Sequence, residues 1–335
     1  MTPILPVRIL AGDIGGTKTR LALIDADGSR LHTLAEETYP SQAYDSLDAI
    51  IRVFIDTHAT KVGTACFGIA GPVRDDQVTA TNLPWQIDAA KLSKLFGIDR
   101  VFLLNDLEAN AWGIQALGRD DIHELCPGAA NARGNAAIIA AGTGLGEAGM
   151  YFDGNNLLPF ATEGGHSGFS PGTEQEIELL RFLQRQYRHV SWERILSGPG
   201  LVRIHDFLRH STQAEAPPWL LKEMQNGDKA AVISTNALNR RDAVCGQALR
   251  LFIRLYGIEA GNMALKHMAT GGLYIGGGIA PKILDWLGQG DFLEAFLDQG
   301  RMRPLLEQIP VRVILNDRTA LYGPAVYAAS RVTRN

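Results

Sequence analysis

Apolar residues fall in short runs separated by polar or glycine-rich breaks, and the period of each run predicts its element. Residues 7–12 form an apolar run ending in Gly12, residues 20–25 alternate in part, and Ala26-Asp27-Gly28 is a turn signal ahead of a third run at 31–39. The chain therefore opens as an antiparallel meander. Leu47, Ile50, Ile51, Phe54 and Ile55 then recur at helical spacing, and a strand at 62–69, a helix from about 88 to 96 and a strand at 101–104 follow. Strands alternating with helices imply an α/β layer architecture.

A comparable series begins again at 136–141, passes a glycine loop to a strand at 147–152, and turns at Asp153-Gly154 before 157–161. This pattern is that of a duplicated fold, although two ordinary hairpins would produce the same spacing. Thr173 with Glu176 makes a capping box for a helix to about 187, and residues 242–267 read as a long amphipathic helix. Strands are expected at 273–275 and 311–315, a closing helix from Ala320, and a loop at Pro217-Pro218.

Composition narrows the class. The 335 residues include 36 glycines, about 11 per cent against a usual 7 per cent, and only three cysteines. Six segments (12–17, 68–71, 142–149, 163–168, 198–200 and 271–278) hold 19 of those glycines, so the excess is concentrated in candidate loops. A net charge of −4 gives no reason to expect a polyanion-binding face, and nucleic acid is not an expected partner. Cys66, Cys126 and Cys245 lack any Cys-x-x-Cys spacing, so neither a disulfide framework nor a zinc knuckle is indicated, and a cytoplasmic location is expected. The apolar stretch at 4–10 is broken by Pro6 and Arg8, which suits a first strand better than a signal peptide. No run approaches a membrane span.

Chemistry concentrates at the strand ends. Gly12-Asp13-Ile14-Gly15-Gly16-Thr17 lies where the first strand turns into the second, and glycines there let backbone amides approach an anion. A simple hairpin turn needs glycine as well. The following strand and the missing Gly-Lys-Ser/Thr order exclude a Walker loop, and a Rossmann fingerprint fails on the same topology. Asp13 adds a carboxylate that Mg²⁺ on a nucleotide could use directly or through water. Gly142-Thr143-Gly144 repeats the arrangement, and Gly276-Gly277-Gly278 follows a buried strand, either to admit a flat ring or to pack a strand-to-helix corner.

Asn105-Asp106 ends one strand and opens a helical pattern, which fits a helix cap and equally fits a base for a substrate hydroxyl. Glu163, His166 and Glu193 offer acceptors and an imidazole of the kind a polyol needs. Metal binding rivals that reading for Glu163 with His166, and a first-turn helical acid rivals it for Glu193.

With these residues placed, the chain resembles the bacterial hexokinase-like glucokinases of the actin, sugar kinase and Hsp70 ATPase superfamily. GDIGGTKTRLAL, FGIAGPV with TNLPW, LLNDLEANAWG, AAGTGLGEA, EGGHSGF, ERILSGPGL and GLYIGGGIAP stand in the family's order across nearly the whole chain. The resemblance implies an α/β fold of two RNase H-like (actin-like ATPase) domains, with mixed sheets flanked by helices and the active site in the interdomain cleft. A small domain would comprise 1–116 plus 317–335, and a large one 117–316.

The same resemblance implies Asp106 as general base for the 6-hydroxyl of D-glucose, with Asn105, Asp106, Glu163, His166 and Glu193 binding the sugar. Gly12, Asp13, Ile14, Gly15, Gly16 and Thr17 with Gly142, Thr143 and Gly144 would surround the phosphates of ATP, Gly276, Gly277 and Gly278 would meet the adenosine, and Asp13 would hold Mg²⁺ through water. The cysteine-rich zinc motif of the related ROK branch is absent, so no zinc is expected and His166 goes with the sugar. A homodimer is the family's expectation. A non-catalytic sugar or nucleotide sensor is the competing class, and it would have no need for the Asn105-Asp106 pair.

Overall fold

The computed structural model describes residues 6–27 and 30–332, and its first hairpin is the one the opening runs predict. β1 (Val7–Ile14) pairs antiparallel with β2 (Lys18–Asp27), which pairs with β3 (Arg30–Pro40); Gly28 of the turn signal lies outside the described residues. α1 (Leu47–His58) starts at Ser46, whose hydroxyl accepts from the Ala49 N–H, and buries Leu47, Ile50, Ile51 and Phe54 along one stripe. β4 (Thr64–Ile69) runs parallel to β1 and is buried at all six positions, as a parallel strand covered on both faces must be. A small ribbon of β5 (Gln77–Thr79) and β6 (Gln86–Asp88) precedes α2 (Ala89–Phe96), and β7 (Arg100–Asn105) then joins parallel to β4 and leads into α3 (Asp106–Gly113). The sheet order is β3-β2-β1-β4-β7.

The chain divides into two compact units, Met1–Asp121 with Leu158–Ala161 and Asn316–Asn335, and Ile122–Leu157 with Thr162–Leu315. In the first, the closing helix Thr319–Val332 crosses α3 at two glycines. A Cβ on Gly323 would strike the Ala109 carbonyl oxygen, and one on Gly113 would strike that of Thr319. This crossing holds the helix that Asp106 opens. Gly323→Val is therefore expected to cost about 1–3 kcal/mol by overpacking, read as a fall in Tm; an unchanged Tm would show that the helices separate without penalty.

The second unit contains β8 (Ile122–Cys126), β9 (Ala136–Ala141), β10 (Leu145–Phe152), α4 (Glu174–Gln184), α5 (Gly198–Thr212), α6 (Pro218–Asn226), α7 (Lys229–Leu238), α8 (Ala243–His267), β12 (Gly272–Gly276) and β13 (Val311–Ile314), and the six-stranded sheet of these strands also takes in β11 (Leu157–Ala161), whose residues 158–161 are grouped with the first unit. The order in that sheet is β11-β10-β9-β12-β13-β8. Apart from the extra edge strand β8, the first five strands take the same order as in the first unit, with an antiparallel hairpin followed by two parallel additions. The duplication is thus one of topology.

Several local expectations change. The capping box at Thr173 and Glu176 is present, but α4 ends at Gln184 rather than near 187. Residues 242–267 are helical, with Asp242 as cap, yet α8 is buried on most of its circumference, as at Leu255, Tyr256, Gly257 and Glu259, because β9, α5, α7 and the helix Asp291–Leu297 all pack on it. It is a core helix and not an amphipathic one. The loop expected at Pro217-Pro218 is present only up to Pro217, because Pro218 already opens α6, where its missing N–H would have had no helical partner. Among the described residues no helix is long and apolar enough to cross a membrane.

Candidate functional site

In the first unit the glycine loop is braced from outside its own motif. The Gly15 N–H donates to the Lys18 carbonyl at 3.0 Å and closes the turn, while the Ser41 hydroxyl donates to the Gly15 carbonyl at 2.7 Å and the Ser41 N–H to that of Thr17 at 3.0 Å. Thr19 Oγ1 lies 3.0 Å from Ser41 Oγ. The glycines divide by role. A Cβ on Gly12 would come within 2.5 Å of Phe67 and 2.9 Å of Leu21, so that glycine admits core packing, and one on Gly16 would lie 2.6 Å from Asn82 Cβ. Thr17 at the tip is exposed.

Asp13 and Arg20 face each other in the β1–β2 register, and Arg20 also grips Asp317 through its carbonyl at 3.0 Å and its carboxylate at 2.9 Å. Burial pushes the Asp13 carboxyl up to about 6, with Arg20 pulling the other way. A carboxylate so disfavoured gains from a nearby cation, and Asp13 accordingly fits a place beside Mg²⁺.

At the carboxyl end of β7, Asn105 is the N-cap of α3. Its Oδ1 accepts from the N–H groups of Leu107 at 2.9 Å and Glu108 at 3.3 Å, and its Nδ2 donates to the Gly71 carbonyl at 3.3 Å. Gly71 adopts φ +144°, and a Cβ there would lie 2.9 Å from the Thr79 carbonyl oxygen, so glycine is required at the point that receives Asn105. Asp106 is the first helical residue, and its Oδ1 accepts from the Leu107 N–H at 3.0 Å. The first turn of a helix favours a negative charge at this position.

In the second unit the loop Gly142-Thr143-Gly144 joins β9 to β10. The Gly142 N–H donates to the Gly144 carbonyl at 2.9 Å, and the Gly142 carbonyl accepts from Gly198 at the start of α5 at 2.8 Å. A 15-residue helix thus begins beside the loop, and a helix N-terminus favours anions. Tyr256 of α8 pins the end of β9, accepting from the Ala141 N–H at 3.2 Å and donating to the Ile139 carbonyl at 3.3 Å. Gly277, at φ +81°, presses its α-carbon on the Ala141 backbone, while a Cβ on Gly278 would meet nothing within 4 Å. The three glycines 276–278 therefore stand beside the loop, Gly277 as a packing corner.

Glu163, His166 and Glu193 come together around the start of β10. Glu163 Oε2 lies 3.8 Å from His166 Nε2, with both side chains more than half exposed. Glu193 Oε2 accepts from the Leu145 N–H at 3.1 Å and lies 2.5 Å from where a Cβ on Gly144 would stand. His166 and Glu193 line one cavity of about 360 Å³ with Tyr187, His189, Ser191 and Arg194. His189 Nε2 donates to the His166 carbonyl at 2.9 Å, and Ser197 Oγ to the Glu193 carbonyl at 2.8 Å. Ser41, Arg20, His189 and Ser197 all brace the candidate site, and each looks in sequence like an ordinary polar residue.

Among the described residues the group of three potential metal ligands is elsewhere, at His205, Asp242 and Cys245. Arg209 already supplies a cation to it, donating to His205 Nε2 at 3.3 Å and to Asp242 Oδ2 at 2.7 Å, and burial pushes the Cys245 thiol up to about 12.

The glucokinase family profile matches residues 10–331. A glucokinase of Nostoc punctiforme is 43% identical over 336 residues, covering 96% of this chain and 98% of the relative. The crystal structure of a glucokinase from an Antarctic psychrotroph superimposes with a TM-score of 0.84 at 31% identity, covering 96% of this chain and 99% of that one. A ROK family glucokinase of Streptomyces griseus, solved with glucose and AMPPNP, shares the fold at a TM-score of 0.65 and 22% identity, over 96% and 99% of the two chains.

Proposed function

Because this chain belongs to the glucokinase family, its reaction is the ATP-dependent phosphorylation of glucose, and we propose that Asp106 supplies the base and that Glu163, His166 and Glu193 read the sugar. Phosphoryl transfer asks a protein chiefly for alignment and for neutralised charge. In this reading the carboxylate of Asp106 accepts the proton of the glucose 6-hydroxyl as its oxygen bonds to the γ-phosphorus. The bond from that phosphorus to the bridging oxygen breaks, and ADP leaves.

Asn105 holds the helix that presents Asp106. Glu163, His166 and Glu193 take the remaining hydroxyls, since each hydroxyl can donate to a carboxylate and accept from an imidazole N–H. The loops 12–17 and 142–144 receive the phosphates with backbone amides, the N-terminus of α5 favours their charge, and residues 276–278 take the adenosine side. Asp13 would hold Mg²⁺ through water, and a bound Mg²⁺ supplies charge neutralisation on the phosphates. The reading also takes the protein to be a cytoplasmic homodimer acting on free sugar, with no zinc, nucleic acid or membrane involved.

The observation that carries this assignment is the convergence of Glu163, His166 and Glu193 at one end of β10 beside the Gly142–Gly144 loop. A coupled ADP-release assay across a panel of hexoses with ATP tests it, alongside sugar-phosphate formation measured with ADP and polyphosphate as donors. Release that depends on glucose and ATP is expected; release indifferent to hexose would favour a sensor.

A further inference from the structure

Glu147 sits on β10 two residues beyond Leu145, is only 4% exposed, and has no part in the mechanism above. The segment carrying Glu163 and His166 rests on it. A Cβ on Gly164 would fall on Glu147 Oε2, and one on Gly165 on the Leu145 carbonyl oxygen. Thr162 Oγ1 donates to the Glu147 carbonyl at 2.8 Å and accepts from the Gly164 N–H at 3.3 Å. Two glycines and a threonine thus let residues 162–166 lie directly on the first residues of the strand, over the Glu147 carboxyl.

Beneath that carboxyl is a second buried acid, Glu259 of α8, which is fully buried and has Lys266 Nζ 3.5 Å from its Oε1. Glu259 accepts from Asn262 Nδ2 at 2.8 Å and pairs with Lys266, whereas Glu147 Oε1 has no hydrogen-bond partner among the described residues. A buried acid left in this state is a costly way to fill space, and an apolar side chain would pack there more cheaply. Resting on the sugar assignment proposed above, we propose that Glu147 is a positioning residue of the hexose site: its carboxyl, packed against Gly164, sets the height and tilt of the segment that presents Glu163 and His166.

The protonation state follows from the surroundings. Burial first, and then the Glu259 carboxylate, push the Glu147 carboxyl up to about 8, with Lys266 pulling it down. Facing it from α8 are Glu259, Lys266 and Tyr256, and the Gly164 backbone closes over it. Its pKa in the folded protein stands above the ordinary 4.5, so the uncharged form predominates below about 8. As pH rises through that value the carboxyl ionises against Glu259, and the segment above is pushed out of place.

Steady-state ADP release by the full chain, with glucose and ATP varied in turn between about pH 6.5 and 9.5, tests this on the wild type, Glu147→Gln, Glu147→Ala and Glu163→Gln. Glutamine imitates the uncharged acid, so Glu147→Gln should hold its neutral-pH glucose KM within about twofold and lack the rise in glucose KM expected of the wild type above about pH 8. Glu147→Ala should raise glucose KM about tenfold while ATP KM moves less than about twofold. Glu163 and His166 are present in both the wild type and Glu147→Gln, so the difference between their pH profiles isolates Glu147.

The inference is overturned if Glu147→Ala leaves glucose KM unchanged, or raises the two KM values together as mere loss of support would. Should Glu147→Ala fail to fold, the glutamine comparison decides alone, and identical pH profiles overturn the inference. An unchanged glucose KM in Glu163→Gln sinks the sugar assignment and this inference with it; a raised one, with both Glu147 variants silent, sinks only the inference.

Discussion

Asp106→Asn is expected to bind glucose as the wild type does while kcat falls by about 10²- to 10⁴-fold, the usual worth of a general base. The substitution is nearly isosteric, and an asparagine Oδ1 can still accept from the Leu107 N–H that Asp106 Oδ1 receives at 3.0 Å. Asn105 remains the cap of α3, so the helix and its crossing with the closing helix are undisturbed. What disappears is the site that takes the proton from the sugar hydroxyl. Glucose binding measured by titration calorimetry and kcat measured by ADP release separate these effects. A kcat within a few-fold of wild type would remove Asp106 as the base, and a large loss of glucose affinity would recast it as a binding group.

Glu163→Gln should raise the KM for glucose about 10- to 100-fold, since a charge-assisted hydrogen bond contributes about 1.5–3 kcal/mol and each 1.4 kcal/mol is tenfold. Size and shape are kept, and the Glu163 side chain is more than half exposed, so folding should be unaffected. ATP KM should stay within about twofold, because Glu163 is placed on the sugar and not on the loop Gly142–Gly144. Glucose and ATP KM rising by the same factor would move Glu163 out of the hexose site.

Much of the fold was legible because its signals are local. The hairpins at 7–39 and 136–161 announce themselves by apolar runs broken at glycine, and Ser46, Asp88, Thr173 and Asp242 all cap helices with side-chain oxygens. Misreadings arose where one local signal has two outcomes. Proline punctuates loops, but at the first turn of α6 it is equally at home. The periodicity of α8 suggested one buried face, whereas four neighbouring elements cover it. β8 was missed because it is a short, half-exposed edge strand with His123 and Glu124 turned outward, a pattern close to that of a polar loop.

By itself the sequence determined the order of the elements, the repeated hairpin, the six glycine-rich segments and the family resemblance. It located the acids and the histidine of the candidate site one at a time. Only the tertiary structure decided that Gly12 yields space to Phe67 and Leu21 while Gly144 yields it to Glu193, that Ser41 braces a loop more than twenty residues away, and that Glu147 lies beneath Gly164. Turn chemistry and hydrophobic period depend on neighbours along the chain and can be read from it. Which α-carbon faces which side chain is settled by packing between strands and helices far apart in sequence, and no local pattern encodes that.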